Sequence, residues 1–475
     1  MKSGIGLILL SLVGCAPQSV QLTNVLEAPK IGSLTELSVP ALQQRSYGSV
    51  PKLISVNDEA CVKPNSSRSL PQHSKNYQSY MVEFSSDGIK QYGRITLPNE
   101  PSSESGYPVV LFLHGWVGME NAPKYSIGCD PASMYAELTD GFARAGFAVV
   151  SPGYRGHGAV DNLPAEGIEY LEAYDQGAGL STTFYAIDSL NFVAGLKSAG
   201  TLTFSGRDID LDFSKFNLVG HSQGGDVGLT YLAVTSASEN MHLAPQQAAL
   251  WAGAFVDRTT MLTELFPVEN TAQAFLSGDG SWTGTAIGQN GEVNPNFVFG
   301  YPADYIGDPN PSGWDDWQKE SWSFPTVESA VLNRTSKMYS DLSTYVGDVE
   351  NPDFIVSVLP DGGVSILHDE AIKKGLDQIG GYNFAEHITQ PLSLHISDQD
   401  FYSQPKWNMD LCNRVNAGGG RCKVHIYPHN THGMRASSQW FSPEGTLDGY
   451  PLMMSRYVSQ FGQVERGSTT LGNGE

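Results

Sequence analysis

Positive charge is scarce in this chain. Only 28 of its 475 residues are Lys or Arg, against 50 Asp or Glu, a net charge of −22. Nucleic-acid binding needs a cationic footprint, so this balance argues against that class, and the acidity reads as a solubilising surface. Cysteine is also rare, with five in all, and no Cys-x-x-Cys pair occurs to suggest a zinc site. No repeat period is visible. The N-terminal apolar run, Ile5 to Val13, is too short to span a bilayer stably. What is present is an ordinary globular composition, 40% hydrophobic. The length suits one large core with an insertion, or two domains.

The first residues read as an address. Met1-Lys2 is a minimal positive region, and the apolar run ends in Leu12-Val13-Gly14-Cys15. This resembles a bacterial lipobox. The resemblance implies a signal peptide over residues 1–14, cleavage before Cys15 and lipidation of Cys15, which would anchor the protein to a membrane without spanning it. Ala16 in place of Asp points to the outer membrane of a diderm envelope. The plainer reading is a secretory signal with a cysteine near its cut site.

Four cysteines remain, Cys61, Cys129, Cys412 and Cys422. An even number in an exported chain suggests disulfides. Cys412 and Cys422 flank the flexible Asn416-Ala417-Gly418-Gly419-Gly420, so they are expected to pair, leaving Cys61 with Cys129 by elimination.

Residues 15–76 read as a tether and wrapping arm, rich in Pro, Ser, Asn and Lys towards the end. Beyond them, Met81–Phe84 and Gln91–Leu97 alternate apolar and polar around Ser86-Asp87-Gly88, which predicts an antiparallel hairpin. Val109–Leu113 and Phe147–Val150 are continuous apolar runs of the kind buried in parallel sheets. A helix is predicted from Met134 to Ala145, stopped by Gly146. An amphipathic helix is predicted over Thr183–Lys197, with Phe184, Ile187, Leu190 and Val193 on one stripe. Ala248–Val256 reads as another strand.

After Asp257 the alternation breaks for about 130 residues, too many for a connecting loop, so residues 258–389 read as a folded insertion, a cap or lid. Its aromatics Trp282, Phe297, Phe299, Tyr301, Tyr305, Trp314, Trp317, Trp322 and Phe324 would line an apolar pocket or fill the insertion's own core. Asp308-Pro309-Asn310-Pro311-Ser312-Gly313 resembles the start of a calcium loop, but Lys319 stands where the twelfth ligand belongs and Glu320 comes one later, so a plain turn is expected. The sheet resumes at Pro391–Ile396 and Lys423–Tyr427, with a closing helix over Met453–Phe461 and a disordered tail from 464. Strands alternating with helices imply a mostly parallel sheet with helices on both faces, over residues 77–257 and 390–463.

At the centre of this pattern lies Asn217-Leu218-Val219-Gly220-His221-Ser222-Gln223-Gly224-Gly225. An apolar strand runs into Gly-x-Ser-x-Gly, and a helix-compatible segment follows at once. This is the context a nucleophile elbow requires. The alternative, a glycine-rich turn with an incidental serine, lacks an account of the partners. A serine hydroxyl needs a base and a group to orient it. His432, in the His-Gly step after the last strand, is the candidate base, with His429 the rival. His221 lies within the elbow and cannot turn back on its neighbour, and His114 belongs to the oxyanion stretch. Asp400 is the candidate acid, Asp398 the neighbouring alternative and Asp257 the second choice. The plainer reading of those acids is that they cap their loop. For the oxyanion, the N–H of Gln223 and that of Trp116 are the candidate donors, with Val117 the alternative to Trp116.

These stretches together resemble the α/β-hydrolases: Leu111-Phe112-Leu113-His114-Gly115, Tyr154-Arg155-Gly156, Gly220-His221-Ser222-Gln223-Gly224-Gly225, the Asp398-Gln399-Asp400 loop and Thr431-His432-Gly433. Tyr-Arg-Gly after a strand and Gly-His-Ser-Gln-Gly-Gly are similar to the prolyl oligopeptidase catalytic domain and its esterase relatives. The arm is far too short for that family's β-propeller, and the large insertion before the acid departs from its pattern. The resemblance implies a serine hydrolase acting on a small-molecule ester or peptide, with no metal and no cofactor, and with Tyr154 and Arg155 bracing the turn beside the oxyanion loop.

Overall fold

The computed structural model describes residues 30–56, 77–264 and 327–462, apart from 101, 120, 128–134, 176–178, 238, 351, 361–363, 398–399, 401–402, 404, 431 and 437–445. Cys15, Cys61, Cys129, Asp398, the Asp308–Gly313 turn, the aromatics from Trp282 to Phe324 and the tail from 464 lie outside the described residues.

The arm comes first, with a short helix α1 (Val39–Gln44) and an edge strand β1 (Lys52–Val56). The expected hairpin follows as β2 (Tyr77–Ser86) and β3 (Ile89–Pro98), turning at Asp87-Gly88, both with positive φ. Then come β4 (Tyr107–Leu113), α2 (Tyr135–Arg144) and β5 (Ala148–Pro152). A two-residue ribbon, β6 (Ala159–Val160) with β7 (Leu163–Pro164), leads to α3 (Ile168–Tyr174) and α4 (Ser181–Ala199). A second hairpin, β8 (Thr201–Phe204) into the long β9 (Arg207–His221), delivers the chain to α5 (Gln223–Thr235) and β10 (Gln247–Trp251).

The region between Asp257 and Pro391 contributes α6 (Arg258–Glu264), α7 (Val327–Tyr345), a separate hairpin β11 (Phe354–Val358) with β12 (Val364–His368), and α8 (Glu370–Asp377). The sheet closes with β13 (Leu392–Ser397), α9 (Pro405–Ala417), β14 (Cys422–Tyr427) and α10 (Tyr450–Gly462).

The strands of the main sheet lie in the order β1-β2-β3-β5-β4-β9-β10-β13-β14, with β8 pairing β9 off that path. From β5 to β14 every neighbouring pair is parallel, whereas β1, β2 and β3 enter antiparallel. The central strands are buried on both faces, as continuous apolar runs require: Val109 to Leu113 and Leu218 to Val219 are fully enclosed. One face is covered by α4, α5 and α9, whose apolar residues join a large core with Leu111, Leu218 and Leu394. The other is covered by α2 and α10, through Phe142, Met453, Tyr457 and Phe461 against Phe112 and Val219.

Two expectations change. Helix α4 is not amphipathic: sixteen consecutive residues, Ser181 to Leu196, are buried all round. The arm is the reason, since it crosses the face that periodicity assigns to water. Gly48 N–H donates to Asn191 Oδ1 at 3.0 Å, and Ser49 Oγ donates to the Asn191 carbonyl at 3.0 Å. The strand expected to reach Val256 stops at Trp251, because Ala252 takes φ 52° and the chain turns off the sheet there.

Cys412 on α9 and Cys422 at the start of β14 form a disulfide, with Cα atoms 5.2 Å apart. It closes the Gly-rich turn that joins the two elements, as their spacing implied.

Candidate active site

Ser222 stands between the end of β9 and the start of α5, at φ 54° and ψ −124°. For a residue with a side chain this is strained backbone, and such strain persists only where the surroundings enforce it. The surroundings here are glycines in direct contact. A Cβ on Gly220 would meet the Gly224 carbonyl oxygen at 2.3 Å, and one on Gly224 would meet the Leu113 carbonyl oxygen at 2.2 Å. Strand, helix and the end of β4 are therefore packed too closely for any other residue. The Ser222 N–H donates to the Trp251 carbonyl at 2.9 Å, which ties the turn to the next strand.

The parallel strands end on this side, and their loops bring the other groups. His432 follows β14; its Nε2 lies 2.9 Å from Ser222 Oγ. Its Nδ1 lies 2.7 Å from Oδ2 of Asp400, which follows β13. An ionised carboxylate can only accept, so Nδ1–H donates to Asp400 and leaves Nε2 to accept from the serine hydroxyl. The Asp400 side chain is fully buried, while that of His432 is 22% exposed, so the imidazole alone of the two meets the open side.

Asp400 Oδ1 accepts from the Ser403 N–H at 3.1 Å, and Ser403 Oγ in turn donates to the Gly253 carbonyl. Trp251 Nε1 donates to the His432 carbonyl at 3.3 Å. Ser397 Oγ donates to the Asn430 carbonyl, joining the end of β13 to the histidine loop.

The alternatives are placed elsewhere. Asp257 accepts from Thr259 Oγ1 and from the N–H and Oγ1 of Thr260, at 2.6–2.8 Å, so it caps α6. His429 sits in the turn ahead of His432 with φ 60°. It is His432 that reaches Ser222.

On the opposite side of Ser222 the end of β4 turns at His114-Gly115-Trp116. A Cβ on Gly115 would lie 3.1 Å from Ser222 Cβ and 2.7 Å from Tyr135 Oη. Tyr135 was not singled out by the sequence. Its hydroxyl accepts the Gly115 N–H at 2.9 Å and lies 2.6 Å from His221 Nδ1, so one buried side chain pins this loop to the elbow. Because Gly115 spends its N–H on Tyr135, the next N–H along the loop is that of Trp116. Gln223 is the first residue of α5, where backbone N–H groups have no partner within the helix.

His114 stacks on Tyr154 with ring centroids 4.1 Å apart, and Tyr154 stacks on Tyr185 at 4.6 Å. Tyr154 has φ 56° and its hydroxyl donates to the His114 carbonyl at 3.3 Å. Arg155 is fully buried and paired with Asp188 of α4: Nη2 to Oδ1 at 2.7 Å, Nε to Oδ2 at 3.1 Å. Its guanidinium lies between the rings of Tyr170 and Phe184, at 4.5 and 4.7 Å. Tyr154 and Arg155 thus brace the turn beside the loop.

Burial favours the neutral form of the histidines behind Ser222 and its oxyanion loop. It pushes His114 and His221 well below the ordinary imidazole range, and His432, whose ring centroid lies 5.0 Å from that of His221, pushes His221 down further. His157 is pushed by burial down to about 4, with its hydrogen bond to the Arg155 carbonyl and the charge of Asp188 opposing.

The sheet order, with a strained serine at the strand-to-helix turn and its partners on the loops after the last two strands, defines this chain as an α/β-hydrolase fold. No protein-family model matches the chain, and no curated protein matches it. Among solved structures it is similar to an acetyl xylan esterase from Paenibacillus sp. R4, at 16% identity over 91% of this chain and 96% of the esterase, with a TM-score of 0.43. It is also similar to an acylaminoacyl peptidase from Pyrococcus horikoshii, at 14% identity, with a TM-score of 0.43, over 84% of this chain and 44% of the peptidase. A puromycin hydrolase matches at 14% identity, with a TM-score of 0.44, over 84% of this chain and 42% of the hydrolase. Likeness at this level assigns neither substrate nor site.

Proposed function

We propose that this protein is a serine hydrolase that cleaves a carboxylic ester through an acyl-enzyme. The observation that carries the reading is the position of His432, 2.9 Å from Ser222 Oγ on one nitrogen and 2.7 Å from Asp400 on the other. In this reading His432 Nε2 removes the hydroxyl proton as Ser222 Oγ attacks the acyl carbonyl. Asp400 holds the tautomer and stabilises the imidazolium. The N–H groups of Gln223 and Trp116 receive the oxyanion, a contribution worth about 10²–10³ in rate for a single donor. His432 then protonates the leaving alkoxide, and water activated by the same imidazole releases the acid.

The competing substrate class is a peptide or amide, through the same residues.

The test is a panel of p-nitrophenyl esters and peptide anilides on purified protein beside Ser222→Ala. Ester turnover lost by at least about 10⁴-fold in Ser222→Ala is expected. Anilide cleavage without ester turnover would move the protein to the peptidases. Fluorophosphonate labelling that survives Ser222→Ala would remove Ser222 as nucleophile, and absence of both labelling and turnover in the wild type would leave a binding protein on a hydrolase scaffold.

Two further features belong to the same proposal. Residues 258–389 form a cap that sets specificity. Lipidation at Cys15 tethers the enzyme to the cell envelope, probed by palmitate incorporation into the wild type and its absence in Cys15→Ala.

A further inference from the structure

One half-buried carboxylate near the site, that of Asp175, has no part in the chemistry above. Asp175 closes the C-terminal end of α3, its N–H donating to the Leu171 carbonyl at 3.1 Å. Its side chain points towards Ser222's neighbours. Trp116 Nε1 donates to Oδ2 at 2.6 Å. Gln223 Nε2 donates to Oδ1 at 2.8 Å, and Ser181 Oγ donates to the same oxygen at 2.6 Å. Burial raises the proton affinity of this carboxyl, and its three donors, from Ser181, Trp116 and Gln223, pull it the other way.

Trp116 lies on the loop after β4, whereas Gln223 opens α5 after β9. Yet they are the two residues whose N–H groups face the proposed oxyanion. One carboxylate takes the side chain of each. Only an acceptor with two oxygens and no hydrogen of its own can take all three donors at once. Tyr135 makes the companion link just ahead of these residues, from Gly115, one before Trp116, to His221, two before Gln223. The two segments are thereby joined on either side of Ser222.

We infer that Asp175 is a positioning residue, which sets the spacing of the Trp116 and Gln223 N–H groups by holding both side chains on one carboxylate. The inference rests on the proposed hydrolase reading. Oxyanion donors act only if they are already in place, and a misplacement of about 1 Å is enough to lose about 10²-fold in rate. A purely structural Asp175 would do no more than join α3 to Ser181 of α4.

The two accounts separate in kinetics. Asp175→Asn keeps the shape but turns an amide N–H towards one of the donors. Expected for p-nitrophenyl acetate is a kcat lower by about tenfold or more with KM within about twofold, since the lost contacts serve the transition state. Trp116→Phe removes one donor and keeps the backbone N–H; it should lower kcat in the same way. The double variant should be no slower than the slower single, because both remove one link. Ser181→Ala removes the donor outside the pair and should leave kcat within about twofold.

Wild-type kcat in Asp175→Asn, an effect confined to KM, or independent effects of Asp175→Asn and Trp116→Phe would overturn the inference. If Asp175→Asn does not fold, Trp116→Phe and Gln223→Met each free one side chain from the carboxylate, and unchanged kcat in both has the same force. A wild type inert towards the ester would count against the substrate reading alone. The rate of fluorophosphonate labelling in the same variants then decides the role of Asp175, since phosphonylation uses the same donors.

Discussion

The two sides of Ser222 are built differently. On the oxyanion side, the loop after β4 is held by interior side chains: Tyr135 to Gly115, Asp175 to Trp116, Tyr154 against His114, and the buried Arg155–Asp188 pair behind them. On the base side, His432 is partly exposed and rides on a loop whose backbone carbonyls accept from Trp251 Nε1 and Ser397 Oγ. The difference follows from the chemistry proposed for each side. Hydrogen-bond donors stabilise a developing charge without reorganisation only if they are rigid, whereas an imidazole must exchange a proton between Ser222 and a leaving group.

The comparison is broken most severely by removing the pair behind the oxyanion loop. Asp188→Ala leaves the Arg155 guanidinium buried without its main partner, and a loss of about 3–5 kcal/mol in stability is expected, read by urea unfolding. A loss under about 1 kcal/mol would show that Asp87, 3.4 Å from Arg155, suffices as partner.

Acid should attack the same side. The folded chain holds His157 at about 4 against 6.5 for an unperturbed imidazole. Between those values the unfolded chain takes up a proton that the folded chain refuses. The stabilisation is therefore complete above about pH 6.5 and is lost as the pH falls towards 4, amounting to about 3 kcal/mol for a shift of this size. His114 and His221, also lowered by burial, act in the same direction. Asp226, raised by burial to about 7 despite the opposing charge of Arg258, acts against them, since its penalty at neutral pH disappears on protonation. Tm should fall between pH 7 and 5, and His157→Gln should flatten that slope. An unchanged slope in His157→Gln would assign the acid sensitivity elsewhere.

The smallest expected effect sharpens the comparison. Tyr135→Phe leaves the Gly115 N–H and His221 Nδ1 without the shared hydroxyl, which should cost about 1–3 kcal/mol of stability. Activity should drop with kcat rather than KM, as for a displaced donor. A variant that loses stability but keeps kcat would show that the loop is set by Asp175 and Tyr154 without it.

How much of this was readable beforehand depends on how local the cause is. The elbow was legible because its requirement lies within nine residues: an apolar strand, two glycines that cannot bear a Cβ, and a helix start. Asp400 and His432 were legible as candidates because each follows a buried strand, on the side where parallel strands end. The Cys412–Cys422 link was legible because a short Gly-rich turn separates them. Helix α4 was misread because periodicity reports only the face against the sheet, and the arm that covers its other face lies more than a hundred residues upstream. Tyr135, Asp175 and Asp188 were invisible for the same reason. Each is a single polar residue in an unremarkable segment, and its partners come from other strands and helices.

The amino-acid sequence by itself determined the alternation of strands and helices and the strained turn at Ser222, because sterics and burial act between neighbours along the chain. Only the tertiary structure decided which hydroxyl, carboxylate and indole hold that turn to the oxyanion loop. Hydrogen bonds between buried groups depend on distances of a few ångströms, and those are settled when the sheet and its covering helices close around them.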